Sequence, residues 1–153
     1  MTARAKTTRE KTAREGRWMA VDYGERRIGL AVSDPTGTIA SPAGVIMRRT
    51  GQRPPVAELA RRAVTLDAVC VVVGLPLDSD GEETPWAAEI RRVGDALGRR
   101  SGLPIRFVDE RFTTAAALRA VRILEGSTRG RKEDVDALSA TVLLQHALAL
   151  PQR

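Results

Sequence analysis

The sequence predicts a mixed α/β domain: a five-stranded sheet, antiparallel in its first strands and parallel in its later ones, with helices on both faces. Three observations carry this. Residues 17–23 and 27–33 are short apolar runs joined through a Gly-containing turn, the pattern of a hairpin. Residues 68–76, "AVCVVVGLP", form an unbroken β-branched run of the kind buried on both faces of a sheet. The stretches around the later runs carry apolar residues at helical spacing, so the later strands are reached through helical crossovers.

The elements follow in order. "RWMAVDY" (17–23) and "RIGLAVS" (27–33) are the hairpin, closed by "GER" with Gly24 free to take positive φ. "AGVIMRR" (43–49) is a third strand, set off by Ser41-Pro42. "PPVAELARRAVTL" (54–66) opens with Pro and places Val56, Leu59, Ala60 and Ala63 at helical spacing. The buried strand 68–76 follows, then a helix over 84–100 with Thr84 as N-cap and Pro85 in its first turn. "PIRFVDE" (104–110) is the last strand, a Thr-capped helix covers 114–124, and the loop "EGSTRGRK" (125–132) leads into a final helix over 133–149. The order is β-β-β-α-β-α-β-α-α, with no internal repeat and no second domain: a single domain over 17–150 behind a basic, polar leader over 1–16 that reads as disordered.

With 153 residues the chain is long enough for one sizeable core, built from Val, Leu, Ile and Ala because only 3% of residues are aromatic. A net charge of +6 favours a polyanionic partner, since clustered Arg and Lys neutralise phosphates. The single cysteine, Cys70, excludes an internal disulfide and any multi-Cys zinc site, and its apolar run makes it an inert core residue. No run approaches the ~18 apolar residues of a membrane span, and the leader lacks the apolar core of a signal peptide. The expected location is the cytoplasm, away from any membrane.

Against this ordinary background, "AVDYGERRIGLAVSD" (20–34) places a carboxylate, Asp22, inside an otherwise buried strand. An unpaired buried carboxylate costs several kcal/mol, roughly, so something must meet it. By the period of two, Trp18, Ala20 and Asp22 share a sheet face. The last strand ends at Asp109-Glu110, at the edge where open α/β sheets place their ligands. In the final helix, Asp136 heads a stripe continued by Ala140, Leu143, Ala147 and Leu150, and so points inward. Asp134 aligns instead with Ala137, Leu138, Thr141 and Gln145, a more exposed face. Three converging acids raise one another's pKa unless divalent cations neutralise them. Mg²⁺ or Mn²⁺ suits an all-oxygen site, whereas one His and one Cys are too few for ordinary zinc ligation. Acids beside a basic surface are the equipment of a two-metal nuclease.

Four segments in order, "VDYGERRIGLAVSD", "VVVGLPLDSDGEE", "VDERFTT" and "VDALSATVLLQ", resemble the YqgF/RuvX family of ribonuclease H-like proteins over about residues 18–148. The resemblance implies a ribonuclease H-like fold with the first strand central. It also implies a hydrolase: an endonuclease that matures the 5′ end of pre-16S rRNA in ribosome biogenesis or, in members assigned as resolvases, cuts four-way DNA junctions. The family's acids fall on Asp22, Glu110 and Asp136, as catalytic residues and metal ligands. Related resolvases carry a fourth acid; Asp34, Asp78, Asp80 and Asp109 are the candidates here.

Arg111, Arg129, Arg131 and Lys132 are candidate phosphate contacts, three of them in a cationic loop beside the helix of Asp136. Gly74 and Pro76 shape the loop after the buried strand, and His146 lies too far along the last helix for a general base. The expected partner is a structured RNA or a branched DNA, including pre-ribosomal particles, with monomer and homodimer both open. Two rivals stand beside the nuclease. "DYGERRIG" also resembles the phosphate hairpin of actin-like ATPases, which need two lobes where this chain supplies one. A non-catalytic nucleic-acid-binding module would fit the charge but leaves the three acids without a purpose.

Overall fold

In the computed structural model, which describes residues 16–49, 51–111 and 132–151, five strands form one sheet. They are β1 (Arg17–Tyr23), β2 (Arg27–Ser33), β3 (Ala40–Met47), β4 (Ala68–Leu75) and β5 (Ile105–Asp109). Three helices are described: α1 (Val56–Thr65), α2 (Pro85–Ser101) and α3 (Lys132–Ala149). The helix expected over 114–124, Arg129 and Arg131 lie outside the described residues, as does the leader apart from Gly16.

The sheet order is β3-β2-β1-β4-β5. β1 pairs antiparallel with β2 and parallel with β4, β2 pairs antiparallel with β3, and β4 pairs parallel with β5. The first strand is therefore central, as the resemblance implies. Alternation along β1 divides the core. Met19, Val21 and Tyr23 join Leu59, Ala63, Ile90 and Leu97 of α1 and α2 on one face. Trp18 and Ala20 join Ala140, Leu143, Leu144 and Ala147 of α3 on the other. Cys70 lies in that second layer, and burial pushes its thiol up to about 11, so it is inert at neutral pH.

Most boundaries agree with the sequence to within two residues, and the differences have physical causes. The third strand begins at Ala40, not residue 43, and contains Pro42. As an edge strand β3 tolerates a missing N–H, and its register shifts between Gly29 and Ala31. Gly24 is not among the positive-φ glycines. Its constraint is steric: its N–H donates to the Arg27 carbonyl at 3.1 Å, and a Cβ would press on that oxygen. Thr84 caps α2 as expected, accepting from Ala87 N at 3.1 Å. Along α3 the stripe of Ala140, Leu143 and Ala147 is buried, but Leu150 is 39% exposed because the helix ends at Ala149. Ala137, expected on the exposed face, is buried because the first turns of α3 lie directly on β2.

Candidate active site

The central strand decides where the acids meet. Asp22, in the last turn of the pleat of β1, shares the face of Trp18 and Ala20, the face that α3 covers. Its antiparallel neighbour in β2 is Gly29. On its other side β4 pairs Val73 with Val21, which brings Gly74 next to Asp22. Gly74 in turn pairs with Val108 of β5, and Glu110 follows two residues later. Gly29, Asp22, Gly74 and the side chain of Glu110 thus form a row across four strands, with the acids at the carboxyl ends of β1 and β5.

Each glycine leaves a space that a neighbour fills. A Cβ on Gly74 would run into the carboxyl group and Cγ of Glu110, so the bare backbone is what lets that side chain reach over β4 towards Asp22. A Cβ on Gly29 would run into the backbone carbonyl of Asp136, so the bare backbone lets the first turns of α3 settle on the sheet. Glu110 itself is held at the strand end by its N–H, which donates to the Leu75 carbonyl at 3.0 Å.

Asp22 and Glu110 are joined by a side-chain hydrogen bond. Burial is the largest influence on both carboxyls and raises both. Repulsion from Asp22 adds to it at Glu110, which is pushed up to about 8. At Asp22 the bond from Glu110 partly offsets burial, while the charge of Asp136 works with burial to keep the carboxyl raised. Burial and repulsion thus favour one proton held between the two groups over two full charges, as for other close carboxyl pairs.

Asp136 is the third acid, half-buried, and its Oδ2 accepts from Arg27 Nε at 2.5 Å. Arg27 begins β2 on the same face as Gly29, so the hairpin supplies the cation that pairs with Asp136. Asp136 is within electrostatic reach of Asp22, yet among the described residues no group of three His, Cys, Asp or Glu is drawn together closely enough to hold a metal as it stands. The chemistry of the pair nonetheless fits a hard divalent cation. It consists of oxygens alone, and burial and mutual repulsion both work against two uncompensated negative charges there.

The other acids have separate structural duties. Asp34 lies at the opposite end of the sheet, where its Oδ1 accepts from Thr38 N and Ile39 N at 2.8 Å each. These bonds hold its carboxyl well below the usual range. Asp78 caps its own loop, accepting from Asp80 N and Glu82 N at 2.9 Å each, and Asp80 is exposed. Asp109 is bound by Arg111, whose Nη2 and Nε donate to its Oδ2 at 2.7 and 2.9 Å. Arg111 also donates to the carbonyls of Asp78 and Ser79 at 3.3 Å, so its guanidinium ties the loop after β4 to the end of β5. Lys132 opens α3, and His146 lies half-buried far along it.

Sequence reasoning missed Arg27 and the spatial purpose of the two glycines. A glycine inside an otherwise β-branched strand is the available signal, because it marks a close approach.

Comparison with known proteins bears on this arrangement. The family model RuvX, described as a Holliday junction resolvase, matches residues 16–150. A protein of Kineococcus radiotolerans named as a candidate pre-16S rRNA nuclease is 41% identical over 136 residues, covering 88% of this chain and 72% of its own. One of the same name from Roseiflexus is 39% identical over 137 residues, covering 87% of this chain and 94% of its own. Among solved structures, RuvC of T. thermophilus in complex with a Holliday junction substrate superimposes with a TM-score of 0.55 at 18% identity, covering 86% of this chain and 92% of that one. That likeness establishes the ribonuclease H-like fold.

Proposed function

The chain belongs to the RuvX family, and from that membership we propose that it is a metal-dependent endonuclease that processes the 5′ end of pre-16S rRNA. The observation that carries the reading is the buried Asp22–Glu110 pair, hydrogen-bonded at the carboxyl edge of the sheet with Asp136 in electrostatic reach of Asp22. A divalent cation would neutralise such a pair in place of the proton.

Asp22, Glu110 and Asp136 would hold Mg²⁺ or Mn²⁺. When bound, the metal lowers the pKa of an attacking water and stabilises the leaving oxygen of a phosphodiester. The chain's own residues do the positioning. Asp22 is fixed by the central strand. Glu110 is aimed across Gly74. Asp136 is anchored through one carboxylate oxygen by Arg27, which is how ligating carboxylates are commonly oriented. Arg129, Arg131 and Lys132 are proposed to contact phosphates ahead of α3, and Arg111 to act chiefly through the loop it ties down. No described helix is long and apolar enough to cross a membrane.

The family model's description favours a second substrate, the four-way DNA junction. Symmetric cutting of a junction calls for two copies of the chain, whereas one copy suffices for trimming an rRNA end. One experiment separates the two readings: the same preparation is given a pre-16S rRNA 5′ segment and a four-way junction, each with Mn²⁺ and with EDTA. Cleavage of the RNA at a defined 5′ position, dependent on Mn²⁺ and absent in Asp22→Asn, is the expected result. Symmetric junction cutting without RNA cleavage would replace it with the resolvase reading. Binding of both without cleavage of either would leave a non-catalytic module.

A further inference from the structure

We propose that the tip of the β1–β2 hairpin and the end of β3 form a second phosphate-contacting surface, built on Arg26, Arg48 and Arg49, that grips the nucleic-acid backbone on the β2–β3 side of the acids. This rests on the nuclease reading above and assigns residues outside the set considered from the sequence.

The topology gathers these cations. β3 runs antiparallel to β2, with Met47 opposite Arg27, so the chain leaving β3 passes the hairpin turn. Arg48 N donates to the Arg26 carbonyl at 2.8 Å, which sets Arg48 and Arg49 directly against Arg26. The edge is also the edge of the acids. Asp22 pairs with Gly29, and Arg27 lies two residues further along β2, roughly 7 Å at about 3.3 Å per residue.

Two kinds of arginine make up the surface. Arg48 is fixed: its guanidinium sits 4.6 Å over the centre of the Tyr23 ring, and its Nη1 donates to the Gly24 carbonyl at 3.0 Å. It braces the turn and adds charge without needing to be ordered on binding. Arg26 and Arg49 are exposed, and neither has an ion-pair partner among the described residues. The turn contributes one acid, Glu25, against this group. Arg111, on the β5 side, has its guanidinium committed to Asp109 and the 78–79 carbonyls. Arg26 and Arg49 thus offer uncommitted charge on the hairpin side of this edge. The acids lie on the α3 face and Arg48 stacks on Tyr23, on the face of α1 and α2, so a polyanion leaving the acids would reach these arginines by passing over the hairpin tip. Exposed arginines with no carboxylate partner among the described residues suit phosphate oxygens.

The test uses the full chain and the double variant Arg26→Ala/Arg49→Ala, which leaves Arg48 and the three acids in place. Binding of a labelled pre-16S rRNA 5′ segment and of a labelled four-way junction is measured in EDTA across a salt series. The log–log salt slope should flatten by roughly 0.7 to 0.9 for each lost phosphate contact, with affinity reduced in parallel. Trimming the substrate from one flank of the cut should make wild type and variant converge, while trimming from the other should not. An unchanged slope in a wild type that binds and cuts overturns the surface and leaves the nuclease standing. Convergence on neither trimmed substrate also overturns it, since the effect would then be general charge. A wild type that neither binds nor cuts either nucleic acid removes the nuclease reading, and this surface with it.

Discussion

At Asp22 two demands meet that would conflict in any other strand. The strand needs apolar side chains on both faces to hold the centre of the sheet, and the site needs a carboxylate there. The conflict is contained by placing Asp22 one residue before the end of β1, beside two glycines, with Glu110 hydrogen-bonded to it. Asp22→Asn removes one of the two like charges and keeps the shape. Its thermal midpoint without metal should hold or rise, because burial disfavours the charge that is lost. Cleavage should fall by orders of magnitude, because an amide cannot neutralise a cation. Calorimetry alongside a cleavage assay checks both, and wild-type turnover in this variant would take Asp22 out of the site.

At the scale of elements, the docking of α3 on the sheet is what brings Asp136 within electrostatic reach of Asp22. Asp136 comes from a helix far along the chain, and its place depends on how closely that helix approaches β2. Gly29 sets that distance. Gly29→Ala places a methyl group against the backbone carbonyl of Asp136, which cannot rotate away as a flexible side chain would. Overpacking of this kind costs about 1–3 kcal/mol, and here it also lifts the first turn of α3. The expected outcome is a folded protein with a lowered midpoint and weakened Mn²⁺ binding by titration calorimetry. A lowered midpoint with unaltered Mn²⁺ affinity would show that the helix start is not part of the site.

For the whole molecule, the shared proton links stability to pH. Glu110 ionises near 8 in the folded chain, against an ordinary carboxyl value near 4.5. A group raised in this way contributes stability that is full below about 4.5 and is lost as pH rises towards 8, because the unfolded chain gives up the proton first. Metal-free wild type should therefore lose stability across that window in denaturant titrations, and Glu110→Gln should lose less. Mn²⁺ affinity should rise over the same window, since binding displaces the proton. Parallel pH–stability curves for wild type and Glu110→Gln would mean that the pair does not share a proton.

Much of this was legible from residue order alone, because periodicity and turn chemistry act locally. The hairpin, the buried strand 68–75, the Thr84 cap and the two-faced sheet all follow from spacings within a few residues, and they appear where expected. The inward stripe of Asp136 also follows, because the helical period is a local property. The sequence by itself therefore determined the described strands and helices to within a few residues and the face of β1 that carries Asp22. Tertiary structure alone decided how closely the acids meet. That Gly74 makes way for Glu110, that Gly29 admits the carbonyl of Asp136, and that Arg27 takes one oxygen of a carboxylate 109 positions later are facts of strand order and helix docking. The same holds for Arg111, whose exposed charge looks available in sequence and is committed to Asp109 in space. Spacing along a chain fixes the direction of a side chain, but partners distant in sequence are fixed only when the sheet is assembled.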